Sequence, residues 1–581
     1  MKVSIPHVLA VVFASILLVQ SVFSMMHAPW LLNGSLASPL VPLSYTMKID
    51  HESLRKHVAH IEVWIPSSSF SSISFETYAW FGEVYLEMPI SNVSATDESG
   101  RLLKVSFSQS KQDWGVKRIW SVTRGSGTLA IFKYDVSFEY YISRIQSYAG
   151  YIGSDYALGV GAFTFLVPSN FSPNKIEVKF DLPEGWMAIT PWECDKDHYV
   201  VSSIDELATA TFGLGNFQVF HRVVGETNVT IATYRAWGNF AGKCIANFSF
   251  TAFEYVKNLF GKSPRKKYLA VYCPPAEDGR DISGWAEGSG SQGIAVWGGW
   301  GLQEGIGWKR TFLHRVIHIW NEFPPYGMQA KTTTPDWTNW FLEGSTDYYA
   351  FDKALIHLGV LSNHRILADF FKTYMSQYLG TRYDMPVAEA YNFVNDPERY
   401  FFLMYRKGAL ICFLLDSLIQ RKTAGNASFD DVMRLLYEKF GNMHGIYTNR
   451  DIQKIAQQLL NEDLSAFFNN YVYGKTKLPL LLQGNDLTVD WAEFLQRVKI
   501  SSITFTVTAT TTSSILRTKS ASSKTSNILT TLQTTTTLET QVVASTFMKL
   551  PGVFSFQVIV IIVTAFTIVI VTLHLWRHKR A

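Results

Sequence analysis

The feature that most constrains this chain is a change of hydrophobic period near residue 240. Between about residues 40 and 225, apolar and polar residues alternate in short stretches such as HIEVWIP, KVSFSQS, FKYDVSFEYYI and KIEVKFDL, separated by Gly, Ser, Asn and Asp clusters. A period of two belongs to half-buried strands, and regular short strands with turn signals predict a β-sandwich. Further on, NFSFTAFEYVKNLFG carries apolar residues at helical spacing, with Gly261 as the expected C-cap, and KKYLAVYCPP reads as a strand. After residue 340 the stretches FLEGSTDYYAFDKAL, NHRILADFFKTYMSQYL, KGALICFLLDSLIQR, SFDDVMRLLYEKF and NRDIQKIAQQLL all have a period near 3.6. The order is a β domain, a mixed domain and a helical domain, an α+β multidomain chain. No repeat of 20–50 residues interrupts it.

The two ends are of another kind. MKVSIPHVLAVVFASILLVQSVFS has one lysine, an apolar run and small or apolar residues around Ser24, as a cleaved secretory signal does; the alternative is an uncleaved anchor. Val553 to Leu573 is a run of 21 residues without an ionisable group, followed by WRHKR. Such a run spans a bilayer core of about 30 Å, and the basic cluster belongs on the cytoplasmic side. The expected topology is single-pass in the plasma membrane, with the bulk extracellular and the C-terminus cytoplasmic. Between body and span, 25 of the 46 residues from Ser501 to Thr546 are Ser or Thr. That composition cannot bury enough apolar surface to offset ordering, and it suits O-glycosylation of an extended stalk. Sequons at Asn33, Asn92, Asn170, Asn228, Asn247 and Asn426 fit the same compartment. The net charge of +4 over 581 residues, without a long basic cluster, excludes nucleic acid as a partner. Four scattered cysteines without a C-x-x-C argue against a cysteine metal site, and Cys412, in the apolar run ALICFLLD, reads as a buried free thiol.

Chemistry concentrates in TFLHRVIHIWNEF. On a helix His314 and His318 lie one turn apart on one face, the spacing that lets two imidazoles share one Zn2+. With 14 histidines in the chain, roughly 0.3 such pairs arise by chance, so the pair alone is weak and two satisfied core histidines would give the same pattern. WFLEGSTDYY offers Glu343 as a third ligand on a following helix, and Asp347, one turn along, can orient a ligand histidine. Arg315 stands between the histidines, next to any dication they hold. Its guanidinium stays protonated and cannot act as a general base at neutral pH. A carboxylate would have to neutralise it, and Glu287 and Glu322 are the candidates.

These motifs resemble the glycyl aminopeptidase family of gluzincin zinc metallopeptidases. The resemblance rests on W-x-x-E-G-x-T-x-Y-Y at 340–349, H-x-x-x-H-x-W-N at 314–321, and Y-x-K-G-A-L followed by L-L-D-x-x-I at 405–419. It runs from about residue 40 to about 480, taking in SSIDELATATFGLGNF and NLFGKSP. It implies that His314, His318 and Glu343 are the zinc ligands and that Tyr405 stabilises the oxyanion of a tetrahedral intermediate. GWAEG stands where the family's G-x-x-E stretch holds a substrate's free α-amine, which would make Glu287 the substrate-binding residue. Gly288 departs from the usual His or Asn after it, and an ordinary turn residue remains the alternative. The family's catalytic glutamate between the histidines is replaced by Arg315, and the stalk occupies the place of the PDZ-like module common near its C-terminus.

The resulting division is a signal peptide at 1–24, a β-sandwich domain at 25–225, a thermolysin-like metallopeptidase domain at 226–355 and a helical domain at 356–497. A Ser/Thr-rich stalk at 498–548, a transmembrane helix at 549–575 and a cytoplasmic tail at 576–581 complete it. Three functions remain open. The first is a surface-anchored protein with a degenerate HRxxH site that binds extracellular peptides or proteins with weak or no turnover, its zinc site retained, weakened or lost. The second is an active zinc aminopeptidase using another base. The third is a cell-envelope adhesion or display protein.

Overall fold

In a computed structural model the chain divides into two units, 1–504 and 505–581. The structure describes residues 41–498 except 66–70, 78–87, 113–114, 125–128, 144–148, 264, 275–284, 288–292, 298–304, 323–326, 333–336, 383 and 394–395. The expected signal peptide, Asn33, the stalk, the transmembrane helix and the tail lie outside the described residues. Among the described residues, no helix is long and apolar enough to cross a membrane.

The N-terminal part is rich in sheet. A seven-stranded sheet runs in the order Glu193–Asp195, His198–Val201, Pro173–Asp181, Val41–Lys48, Val58–Ile65, Ala130–Ser137, Ile90–Asp97. A four-stranded sheet has the order Val167–Pro168, Ser72–Glu76, Gly115–Thr123, Lys104–Gln112. Strict alternation explains their shared core. Ala59, Ile61, Val63 and Ile65 point inward while His60, Glu62 and Trp64 stay outside. Between the sheets Phe75 stacks on Phe132 at 5.1 Å. A second four-stranded sheet, Met187–Ile189, Thr211–Gly215, Tyr156–Val160 and Gly150–Ile152, joins the same core.

One expected strand is only half a strand. FKYDVSFEYYI is extended to Ser137, then turns helical over Phe138–Ser143. The alternation continues past residue 137, but Phe138 and Tyr141, three apart, both reach the core, which a helical turn allows and a strand does not.

A five-stranded sheet follows: Phe217–Val224, Thr227–Tyr234, Lys267–Cys273, Gly293–Trp297 and Trp285–Glu287, parallel in the middle and antiparallel at both edges. It takes in the hairpin that turns at Gly225, so the sheet begins at Phe217. KYLAVYC reads as a continuous apolar run because both faces of its strand are buried. Leu269, Val271 and Cys273 face the N-terminal core, whereas Tyr268, Ala270 and Tyr272 face the helices. The sheet is thus the wall between two cores.

Among the described residues, the α-helices of nine residues or more are α1 (Gly238–Phe260), α2 (Gly307–Asn321), α3 (Asn339–Tyr348), α4 (Arg365–Thr373), α5 (Gly408–Lys422), α6 (Phe429–Phe440) and α7 (Asn449–Leu460). Gly261 caps α1 in the left-handed conformation, its N–H bonding to the Lys257 carbonyl. Ser428 with Asp431, and Thr448 with Asp451, form capping boxes that start α6 and α7. The helical region also carries a hairpin, Leu480–Gln483 with Asp486–Val489. All four cysteines are unpaired, Cys412 buried, and the sequon residues Asn92, Asn170, Asn228, Asn247 and Asn426 are exposed.

Two glycines bring α3 against α5. A Cβ on Gly344 would lie 2.5 Å from the Gly408 carbonyl carbon, and one on Gly408 would lie 2.5 Å from the Trp340 carbonyl oxygen. Both obstacles are backbone, so only separation of the helices could relieve the clash. Gly408→Ala is expected to destabilise the chain by about 1–3 kcal/mol, the usual cost of overpacking. Thermal unfolding would register this as a Tm several degrees lower; an unchanged Tm would mean the helices can part freely.

Candidate metal centre

α2 and α3 face each other with their polar residues turned into the seam. His314 and His318 project from one face of α2, and Glu343 and Asp347, also one turn apart, from one face of α3. The imidazole Nε2 atoms are 2.9 Å apart. The Glu343 Oε2 atom lies 3.4 Å from His318 Nε2 and 3.8 Å from His314 Nε2. These three atoms form the one set of three or more potential metal-ligating groups among the described residues. Both Nδ1 atoms point away from that locus and are occupied. His314 Nδ1 is 3.0 Å from Asp347 Oδ1. His318 Nδ1 is 3.1 Å from Asn321 Oδ1 and 3.0 Å from Glu322 Oε2.

The residues fit a divalent ion on a specific observation. Glu343 is 2% exposed, and its Oε2 accepts no hydrogen bond although it is buried. An unsatisfied buried carboxylate oxygen is costly, and two imidazole nitrogens aimed at the same point are what a tetrahedral Zn2+ would use. Carboxylates behind the imidazoles fix ring orientation and raise ligand basicity.

Electrostatics separates the two imidazoles. Burial, then the His318 charge beside it, holds His314 well below the usual imidazole range. Burial pushes His318 the same way, but Glu322 and Glu343 outweigh it and raise it to about 10. The free pair therefore carries its proton on His318. Burial raises Asp347 to about 6 against the opposing pull of Arg406.

Tyr405 lies on a π-helical turn, Phe402–Lys407, that leads into α5. Its ring stacks on His314 at 6.2 Å and 17°. Burial, then Glu343, raises its phenol well above 10, so it stays protonated and able to donate. Arg315 is 8% exposed, and its charge is felt at both His314 and Tyr268 of the central sheet. Of the two carboxylates expected to offset it, Glu322 is engaged with His318. The backbone of Glu287 pairs with Ala295 in the edge strand, and its side chain lies outside the described residues.

The structure thus brings His314, Arg315, His318, Glu343, Asp347 and Tyr405 together. Sequence reasoning missed two contributors, Asn321 and Arg406, and one role of a third. Asn321, already visible in H-x-W-N, bonds His318 and donates to Thr346 Oγ1 at 2.7 Å, tying α2 to α3. Glu322, named from the sequence only as a counter-charge for Arg315, also lies behind His318. Arg406 donates from Nη1 to Asp347 Oδ2 at 3.1 Å. Its reach depends on the π-turn, which no residue pattern announces.

Comparison with known proteins finds a match to part of the chain and a similar fold. Residues 46–213 match the Peptidase M61 N-terminal domain. Among solved structures, an aminopeptidase N family protein from Idiomarina loihiensis superposes with a TM-score of 0.59 at 16% identity. The match covers 76% of this chain and 79% of that one. A search of curated protein sequences finds no match. The chain is accordingly peptidase-like in its N-terminal domain and aminopeptidase-like in fold.

Asp347→Asn should keep the fold and lower Zn2+ affinity roughly 10–100-fold, the usual effect of losing a partner that orients a ligand histidine. Competition against a chromophoric chelator measures it, and equal affinity in the two proteins would remove Asp347 from the site.

Proposed function

We propose that this is a zinc-binding, gluzincin-type protein of the glycyl aminopeptidase family, anchored by residues 549–575 and facing outward from the plasma membrane. It holds extracellular peptides or protein segments at a degenerate HRxxH site and turns them over weakly or not at all. One observation carries the reading: a buried His314–His318–Glu343 triad, supported behind both imidazoles, with Arg315 rather than a carboxylate beside it.

Bound zinc would supply a Lewis acid for a peptide carbonyl and lower the pKa of a coordinated water. The chain's residues would do the rest. Tyr405 keeps its proton and offers a donor for developing oxyanion charge. Asp347 and Arg406 hold the His314 ring. The remaining step, moving a proton from water to the leaving amine, needs a base that Arg315 cannot be. Glu322 does not replace it, because its carboxylate is spent on His318 Nδ1, on the side away from the ligand locus. Glu287 is the residue we assign to a substrate's α-amine. Anchorage rests on the apolar run and the basic WRHKR that follows it.

Aminoacyl reporter substrates test the catalytic part. The natural chain should release product at or near background with zinc supplied. Arg315→Glu should gain chelator-sensitive turnover of at least 100-fold, since a positioned base is worth about 10²–10⁴. Chelator-sensitive turnover by the natural chain as fast as that of Arg315→Glu would sink the reading. Anchorage has a separate check: the full chain should stay with membranes after alkaline carbonate washing, and a chain ending at residue 548 should be released.

A further inference from the structure

We propose that Arg310, Arg365 and Arg406 form an oxyanion-binding site on the outer side of His314, opposite the ligand locus, that takes a single carboxylate or phosphate group. It goes beyond the peptidase reading and does not depend on it, since none of the three arginines is a candidate metal ligand.

The geometry starts on α2. Arg310 lies one turn before His314 and lays its guanidinium over the Phe351 ring at 4.8 Å. Arg406 rests on the same ring at 5.0 Å, and also on Phe370 at 4.1 Å and Phe401 at 4.8 Å. Phe351 and Phe370 contact each other at 5.8 Å, so the two cations share one aromatic cluster. Arg365 opens α4, the helix that carries Phe370, and is exposed.

Charge is out of balance there. Asp347 is the carboxylate felt by Arg310, and it is already shared between His314 Nδ1 and Arg406 Nη1. The Arg310 side chain forms no hydrogen bond or ion pair among the described residues, and its Nε is buried without an acceptor. Burial, and then the charge of Arg406, lowers its pKa, with Arg365 adding to the effect and Asp347 opposing it. A half-buried cation without a counter-ion is costly, and an anion taken from solution removes that cost.

The shape suits an oxyanion. A guanidinium stacked by its face keeps its N–H edges free, and those edges fork onto the paired oxygens of a carboxylate or phosphate. The phenyl cluster lowers the local dielectric and strengthens the attraction. Arg365 is exposed, so it meets solvent anions directly.

Calorimetric titration of the metal-free full-length chain tests this, with inorganic phosphate in one arm and acetate in the other, at fixed ionic strength. One saturable site per chain is expected in at least one arm. Arg310→Gln and Arg365→Gln should each weaken it at least tenfold, with circular dichroism checking that both variants fold. Arg365 is exposed, so its variant tests the site even if Arg310→Gln fails to fold. Binding of phosphate alone, acetate alone, or both would support the site and identify its ligand. No saturable binding in either arm, or binding that Arg365→Gln leaves intact, would overturn it.

Discussion

The close approach of α3 and α5 at Gly344 and Gly408 is the contact on which the site depends. With hydrogen in place of a side chain on each helix, backbone meets backbone, and any Cβ would strike main-chain atoms. α3 carries Glu343 and Asp347, and the π-turn leading into α5 carries Tyr405, Arg406 and Lys407. The crossing therefore brings a ligand carboxylate, its supporting aspartate, a phenol donor and the arginine that holds the aspartate into one layer. The glycines of E-G-x-T and K-G-A-L matter to chemistry through packing.

Buried ion pairs hold the frame around that layer. Lys407, fully buried, bonds Asp384 at 2.6 Å and fixes the π-turn from behind. Asp416 accepts from Lys353 at 2.8 Å and from the Tyr348 hydroxyl at 2.6 Å, joining α5 to the segment that continues α3. Each partner is desolvated, so loss of either leaves an uncompensated charge in the interior, which is far more destabilising than loss of an exposed pair. The lysine and aspartate of Y-x-K-G-A-L and L-L-D-x-x-I are structural in this sense, whereas the tyrosine faces the imidazoles.

Within this frame Arg315 changes the charge beside the triad. A glutamate there would add a negative group next to a dication; the arginine adds a positive one. Asp347, Glu322 and Glu343 are the carboxylates of this layer, and each is placed around an imidazole. The arrangement keeps two imidazoles and a carboxylate converging on one point, with a cation rather than a carboxylate at position 315.

The sequence determined the parts that repeat with a period or sit at a fixed spacing along one element. Strands of period two, helices of period 3.6, the C-cap at Gly261, and the pairs His314–His318 and Glu343–Asp347 were legible because each depends on a single element's geometry. The helical turn after Ser137 was not, because alternation continues into it and only the core decides which way Phe138 and Tyr141 point. Nor was the strand Gly293–Trp297, hidden in a glycine-rich stretch and extended because two strands of the central sheet flank it. Arg406 on Asp347, Glu322 on His318, and the arginines gathered on Phe351 were decided only by the tertiary structure. Each joins groups from separate elements, and a hydrogen bond or ion pair depends on distances of a few ångströms that spacing along one element does not specify.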